Sequence, residues 1–129
     1  MYVKNRVTTC LLLAAILIPG LCHAAEADSV VITHVVIAWL KPEFRTEEYI
    51  NKVLQANERL REIPQVQSLR TGTALKSERK MVDDSFDFGN AMTFNSKQDM
   101  QDYLVDPIHV EFIDTYIKGK TEKVIVFDF

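Results

Sequence analysis

Apolar and polar positions alternate along this chain with two different periods, and the switches between them divide it into elements. "VVITHVVIAWLK", Val30 to Lys41, is β-branched and almost wholly apolar, which predicts a central strand. The period then changes to helical. Tyr49, Ile50, Val53, Leu54, Leu60 and Ile63 fall on one stripe, opened by Thr46 as cap, with Glu47 and Glu48 in the first turn, and closed by Pro64. "VQSLRTGTAL", Val66 to Leu75, predicts a second strand, and the charged "KSERKMVDDS" after it a solvated loop or hairpin end. "FDFGNAMTF", Phe86 to Phe94, alternates and predicts a third strand. Ser96 and Asp99 have capping-box spacing and open a helix to about Val105. Asp106 and Pro107 break it and begin another that runs to Gly119, and "EKVIVFDF", Glu122 to Phe129, closes the chain as a strand.

The order is βαββαβ with the second helical segment in two pieces. It predicts an α+β fold: a ferredoxin-like antiparallel sheet with helices on one face. Such a sheet should be apolar on one side only. Yet Ile32, Val36, Ala38 and Leu40 share one parity of the first strand while Val31, Val35, Ile37 and Trp39 share the other, and the last strand is apolar on both sides as well. Something must cover the second face. A second copy related by a two-fold axis is the simplest cover, so the expected partner is the protein itself, a homodimer packed sheet to sheet.

Residues 1–24 read as a signal peptide. Lys4 and Arg6 give a basic start, Cys10 to Ile18 an apolar core, and "PGLCHA" a break followed by small residues at −3 and −1. An uncleaved anchor is the alternative, since charges are absent from Val7 to Ala25, but Pro19-Gly20 interrupts that run. The expected destination is the periplasm or the exterior, with no membrane attachment after cleavage. One domain, residues 30–129, then accounts for the mature chain. Both cysteines leave with the leader, so neither a disulfide nor a thiolate site is available. The leader also takes two of 15 basic residues and none of 18 acidic ones, leaving 13 against 18, a net charge of −5 that argues against nucleic acid.

Candidate chemistry lies in "QDYLVDPIHVEF". His109 shares a stripe with Phe112, Ile113 and Tyr116, and Tyr103 shares one with Met100 and Leu104, so the break at Asp106 aims two polar tips at one volume. His34 sits mid-strand on the parity of Val36 and Ala38. A helix start and burial both favour neutral imidazole, which suits His109 to act as a general base, while a phenol can donate to a developing oxyanion. The structural alternative is that the imidazole and the phenol each bond one neighbour and fix the helix angle. No cofactor is called for, and the spacing of His34 and His109 relative to Asp106 and Glu111 gives no metal site.

"THVVIAWLK", "IPQV", "FDFGNAMTF", "KVIVFDF" and above all "MQDYLVDPIHVEF" resemble the stress-responsive A/B barrel (Dabb) family, from about Thr33 to Phe129. The resemblance implies a ferredoxin-like protomer paired into a dimeric α/β barrel, and for many members a stress-linked role. A plant cyclase of the family closes linear polyketides by intramolecular aldol chemistry. Carried over, its roles make His109 the base and Tyr103 the donor, with His34, Val36 and Ala38 lining a substrate pocket; Phe112, on the stripe of His109, is expected to line it too. Its aromatic wall on the first helix falls here at Val53 and Ala56, which are small. Three functions follow: an exported dimer binding a small apolar or aromatic molecule, a cofactor-free cyclase or isomerase, or a structural module. A cavity of at least ~300 Å³ is the expected mark of the first two.

Overall fold

The computed structural model describes residues 30–129; the leader expected at 1–24 lies outside them. Four strands, β1 (Ile32–Leu40), β2 (Ser68–Gly72), β3 (Phe88–Phe94) and β4 (Thr121–Asp128), form one antiparallel sheet in the order β2-β3-β1-β4. The helices are α1 (Glu47–Glu58), α2 (Lys97–Val105) and α3 (Pro107–Phe112). The fold is the ferredoxin-like α+β arrangement that the element order predicts.

Local chemistry sets the boundaries. Thr46 Oγ1 accepts from Tyr49 N at 3.2 Å and Ser96 Oγ from Asp99 N at 3.0 Å, each satisfying an otherwise unpaired helix-start amide. The first helix ends sooner than its apolar stripe: from Arg59 to Glu62 the turn tightens to 3₁₀, and Ile63 is extended because it precedes Pro64. The second strand is also shorter than predicted: its pairing with the third ends at Gly72 opposite Gly89. Leu75 is accordingly exposed.

The last helical piece departs most from the expectation of one regular helix to Gly119. From Ile113 to Ile117 it widens into a π-helical turn, marked by the bond from Lys118 N to the Ile113 carbonyl at 2.9 Å. The wide turn carries Tyr116 away from the volume around His109, toward Ala56 and Arg59, and brings Ile117 in instead. Tyr49 Oη donates to the Tyr116 carbonyl at 3.0 Å, tying this turn to α1. Gly119, at φ +74°, then swings the chain into β4 in a conformation that disfavours any side chain.

The core lies between sheet and helices. Ala38, Leu40, Phe88, Met92 and Phe94 face Val53, Leu60, Ile63, Tyr103 and Phe112 there, all buried. Among the described residues no helix covers the opposite face. Val35, Ile37 and Trp39 are only half-buried, and Phe127 and Phe129 are exposed. Gly89 leaves room on that face for Ile37, whose Cδ1 lies 2.9 Å from where a β-carbon would stand. This is the two-sided strand pattern of the sequence, seen as a surface.

Candidate functional site

A cavity of about 200 Å³ sits between the sheet and the broken helix. β1 contributes His34, Val36 and Ala38, β3 contributes Phe88 and Asn90, and β4 borders it with Val124 and Val126, both exposed. Tyr103 and Leu104 come from α2, His109 and Phe112 from α3, and Ile113 and Ile117 from the wide turn. All six residues singled out in the sequence, His34, Val36, Ala38, Tyr103, His109 and Phe112, line this one space. Its walls are mostly hydrocarbon, and no Lys, Arg, Asp or Glu is among them.

The break at Asp106 makes the convergence possible. Asp106 Oδ1 accepts from Ile108 N at 2.8 Å, and Pro107 supplies a first-turn residue with no amide to satisfy. His109 is thereby the third residue of α3, and its ring stacks at 4.5 Å from that of Tyr103, with 47° between planes. Tyr103 in turn lies on Phe94 at 5.0 Å and meets His34 edge-on at 6.0 Å.

His109 is held in one tautomer. Its Nδ1 lies 3.0 Å from the Leu104 carbonyl, which can only accept, so Nδ1 carries the proton and Nε2 of the neutral ring keeps its lone pair. Burial pushes the imidazole below its ordinary pKa and His34 adds to this, against the raising effects of the Leu104 hydrogen bond and Asp106. Burial also pushes the Tyr103 phenol well above its usual 10. The pair therefore offers a neutral acceptor and a neutral donor near pH 7, the complement expected of a general base beside a hydrogen-bond donor.

A stability consequence follows from the direction of the His109 shift. With a folded pKa below the unfolded 6.5, the unfolded chain takes up a proton first as pH falls. The contribution is whole above about pH 6.5 and is lost below it. Urea titrations between about pH 8 and about pH 5 should show wild type losing more stability on acidification than His109→Gln. Equal slopes would mean that the ring is not held neutral.

Two polar sets were not foreseen. His34 Nδ1 donates to Asp128 Oδ1 at 2.6 Å, across directly paired positions of β1 and β4. Asp128 follows Val124 and Val126 on one parity of an apolar strand, and that placement was its sequence signal. The second set is a buried relay. Asn90 Nδ2 donates to Asn57 Oδ1 at 3.0 Å, Asn57 Nδ2 to Thr71 Oγ1 at 3.2 Å, and Thr71 Oγ1 to the Gly89 carbonyl at 3.2 Å. Asn57 falls at i+4 from Val53 on the buried stripe, and Asn90 alternates inward between Phe88 and Met92, so both were placed by period although their polarity hid them. Among the described residues no group of three or more His, Cys, Asp or Glu gathers as a metal site.

Fold and cavity define a class: a ferredoxin-like protomer with a mainly apolar pocket between its sheet and helices, and one sheet face open. A family model described as the Stress responsive A/B Barrel Domain matches residues 32–129, and the chain belongs to that family, Dabb. Among curated proteins none matches. Solved structures do. A hydroxynitrile lyase from Passiflora edulis is 22% identical with a TM-score of 0.67, over 77% of this chain and 91% of that one. An Arabidopsis thaliana protein is 24% identical, TM-score 0.63, over 76% and 92%. A dimeric protein with a ferredoxin-like fold from Bacteroides fragilis is 16% identical, TM-score 0.63, over 77% and 94%. At such identities the likeness is one of fold.

Proposed function

We propose that this protein binds a small, neutral, largely apolar molecule in the cavity beneath the α2–α3 break. The observation that carries the reading is the cavity's own make-up: about 200 Å³ of mostly hydrocarbon wall interrupted by an imidazole with an available lone pair. No Lys, Arg, Asp or Glu lies among the described lining residues to meet an ionic ligand. The volume falls short of the ~300 Å³ expected for drug-sized ligands, whereas an apolar cavity of about 150 Å³ suffices for benzene. A single substituted ring, or an aliphatic molecule of that bulk, fits. Thermal unfolding in the presence of neutral one-ring compounds tests it: binders should raise the midpoint in proportion to the logarithm of concentration. A panel that leaves the midpoint unmoved at millimolar concentrations overturns it.

The second reading, cofactor-free acid–base catalysis with His109 as base and Tyr103 as donor, is favoured by the fixed tautomer. The small volume favours isomerase or lyase chemistry over closure of a long polyketide chain. One structural neighbour is a hydroxynitrile lyase, which agrees with that direction. On a substrate that the protein turns over, His109→Gln should lower kcat by about 100-fold or more, and an unchanged kcat would leave binding alone.

Self-association through the open sheet face belongs to the same proposal. It is supported by the half-buried Val35, Ile37 and Trp39 and by the dimeric neighbour. Export, to the periplasm or beyond, rests on Lys4, Arg6 and the Cys10–Ile18 core. The intact mass of protein recovered from the cell exterior or periplasm tests it, with cleavage expected after Ala24.

A further inference from the structure

Two imidazoles line the cavity, and their anchors differ. The Nδ1 of His109 is bonded to a backbone carbonyl, that of His34 to the carboxylate of Asp128 at 2.6 Å. A carboxylate can only accept, so Nδ1 of His34 carries the proton and Nε2 of the neutral ring keeps a lone pair. Register sets this anchor: His34 and Asp128 are directly paired across β1 and β4. Tyr103 and Phe94, edge-on at 6.0 and 6.3 Å, hold the tilt of the ring.

His34 is 5% exposed, and the space that its ring borders is the cavity. Among the described residues Nε2 has no hydrogen-bond partner, yet it is not sealed from water as Asn90 Oδ1 is. The atom is therefore both unpaired and reachable. An imidazole serving structure alone satisfies both nitrogens within the fold; here one is satisfied and one is presented. The next inward positions of the strand, Val36 and Ala38, floor the same space with hydrocarbon.

We propose that His34 Nε2 is the cavity's acceptor for a ligand hydroxyl or N–H, and that Asp128 is the positioning residue that keeps this lone pair available. This rests on the cavity being a binding site and names the ligand's chemical class: a neutral ring-sized alcohol, phenol or N–H compound. A site built to bond a hydroxyl rejects the isostere that lacks it, because the acceptor is then stranded without water or partner. The anchor also makes the two imidazoles unequal. When a ligand hydroxyl gives up its proton to Nε2, the bonding pair stays on oxygen and the Asp128 carboxylate balances the charge gained by the ring. The carbonyl on Nδ1 of His109 offers no such counter-charge.

Phenol and toluene, alike in shape and different in one donor, are the probes, and their affinity ratio from calorimetric titration is the readout. Wild type should prefer phenol. His34→Phe, which keeps a ring and removes its nitrogens, and Asp128→Leu, at a half-exposed position of the edge strand, should each lower that preference about tenfold. In the double variant the two losses should not add, because both act through one bond. Nitrogen-15 spectra of the wild-type histidine rings check the same claim without any substitution in the fold: phenol should move the Nε2 signal of His34 far more than toluene does. Phenol shifts confined to His109, or a ratio that both variants leave unchanged, overturn the role of His34 while the cavity reading stands. A ratio lost in His34→Phe and kept in Asp128→Leu overturns the positioning role of Asp128. If neither probe binds wild type, the cavity reading falls and this proposal with it.

Discussion

Phe94→Ala should destabilise the protein by about 3–5 kcal/mol in urea unfolding, a large part of the 5–15 kcal/mol that typically holds a domain together. Phe94 is fully buried at the end of β3, and its ring is the surface on which Tyr103 lies at 5.0 Å. It also meets His34 at 6.3 Å. Removing the ring leaves a void under both groups, so neighbouring atoms lose contacts that no other side chain replaces. The same substitution should abolish binding of one-ring compounds, since Tyr103 would lose the support that holds it against His109. A loss of less than about 1 kcal/mol would show that the site collapses onto itself and that Phe94 is no pillar of it.

If the open sheet faces pair as proposed, Ile37→Asp should convert the dimer into a folded monomer at micromolar concentration. Ile37 lies at the centre of the open face, opposite Gly89 on one side and Ile125 on the other. On a two-fold interface every substitution appears twice. Two unpaired carboxylates would be buried there, each costing several kcal/mol, while the core on the far side of the sheet is untouched. Sedimentation should report half the mass with an unaltered circular dichroism spectrum. A dimer that survives the substitution would mean that the copies meet elsewhere and that this face has another cover.

Period and punctuation alone made most of the architecture legible. Thr46, Ser96 and Asp106 each cap where spacing placed them, because capping is settled within one helical turn and needs no tertiary knowledge. The two-sided strands were legible for the same local reason. The missed parts depend on how segments are angled and paired in three dimensions. Nothing near His109 in the chain announces that the Leu104 carbonyl will anchor its ring, since that depends on the angle across Asp106-Pro107. Asp128 acquires its meaning only from the β1–β4 register. Asn57 and Asn90 stand 33 positions apart, and each alone reads as an ordinary polar residue. The wide turn at Ile113–Ile117 has no proline or glycine within it to reveal it, so a regular helix was the natural expectation; Tyr116 packs against the core as its stripe predicted, but outside the cavity around His109.

The anchor of the His109 imidazole spans a joint. His109 belongs to α3, while the carbonyl fixing its tautomer belongs to Leu104, two residues before the joint at Asp106. Both segments also form the roof above the guest, so shape and reactivity share one latch. A compound that prised the two segments apart would also free the imidazole to turn. If His109 is the proposed base, such a compound would be held without being acted on, so the joint would sort cargo by size.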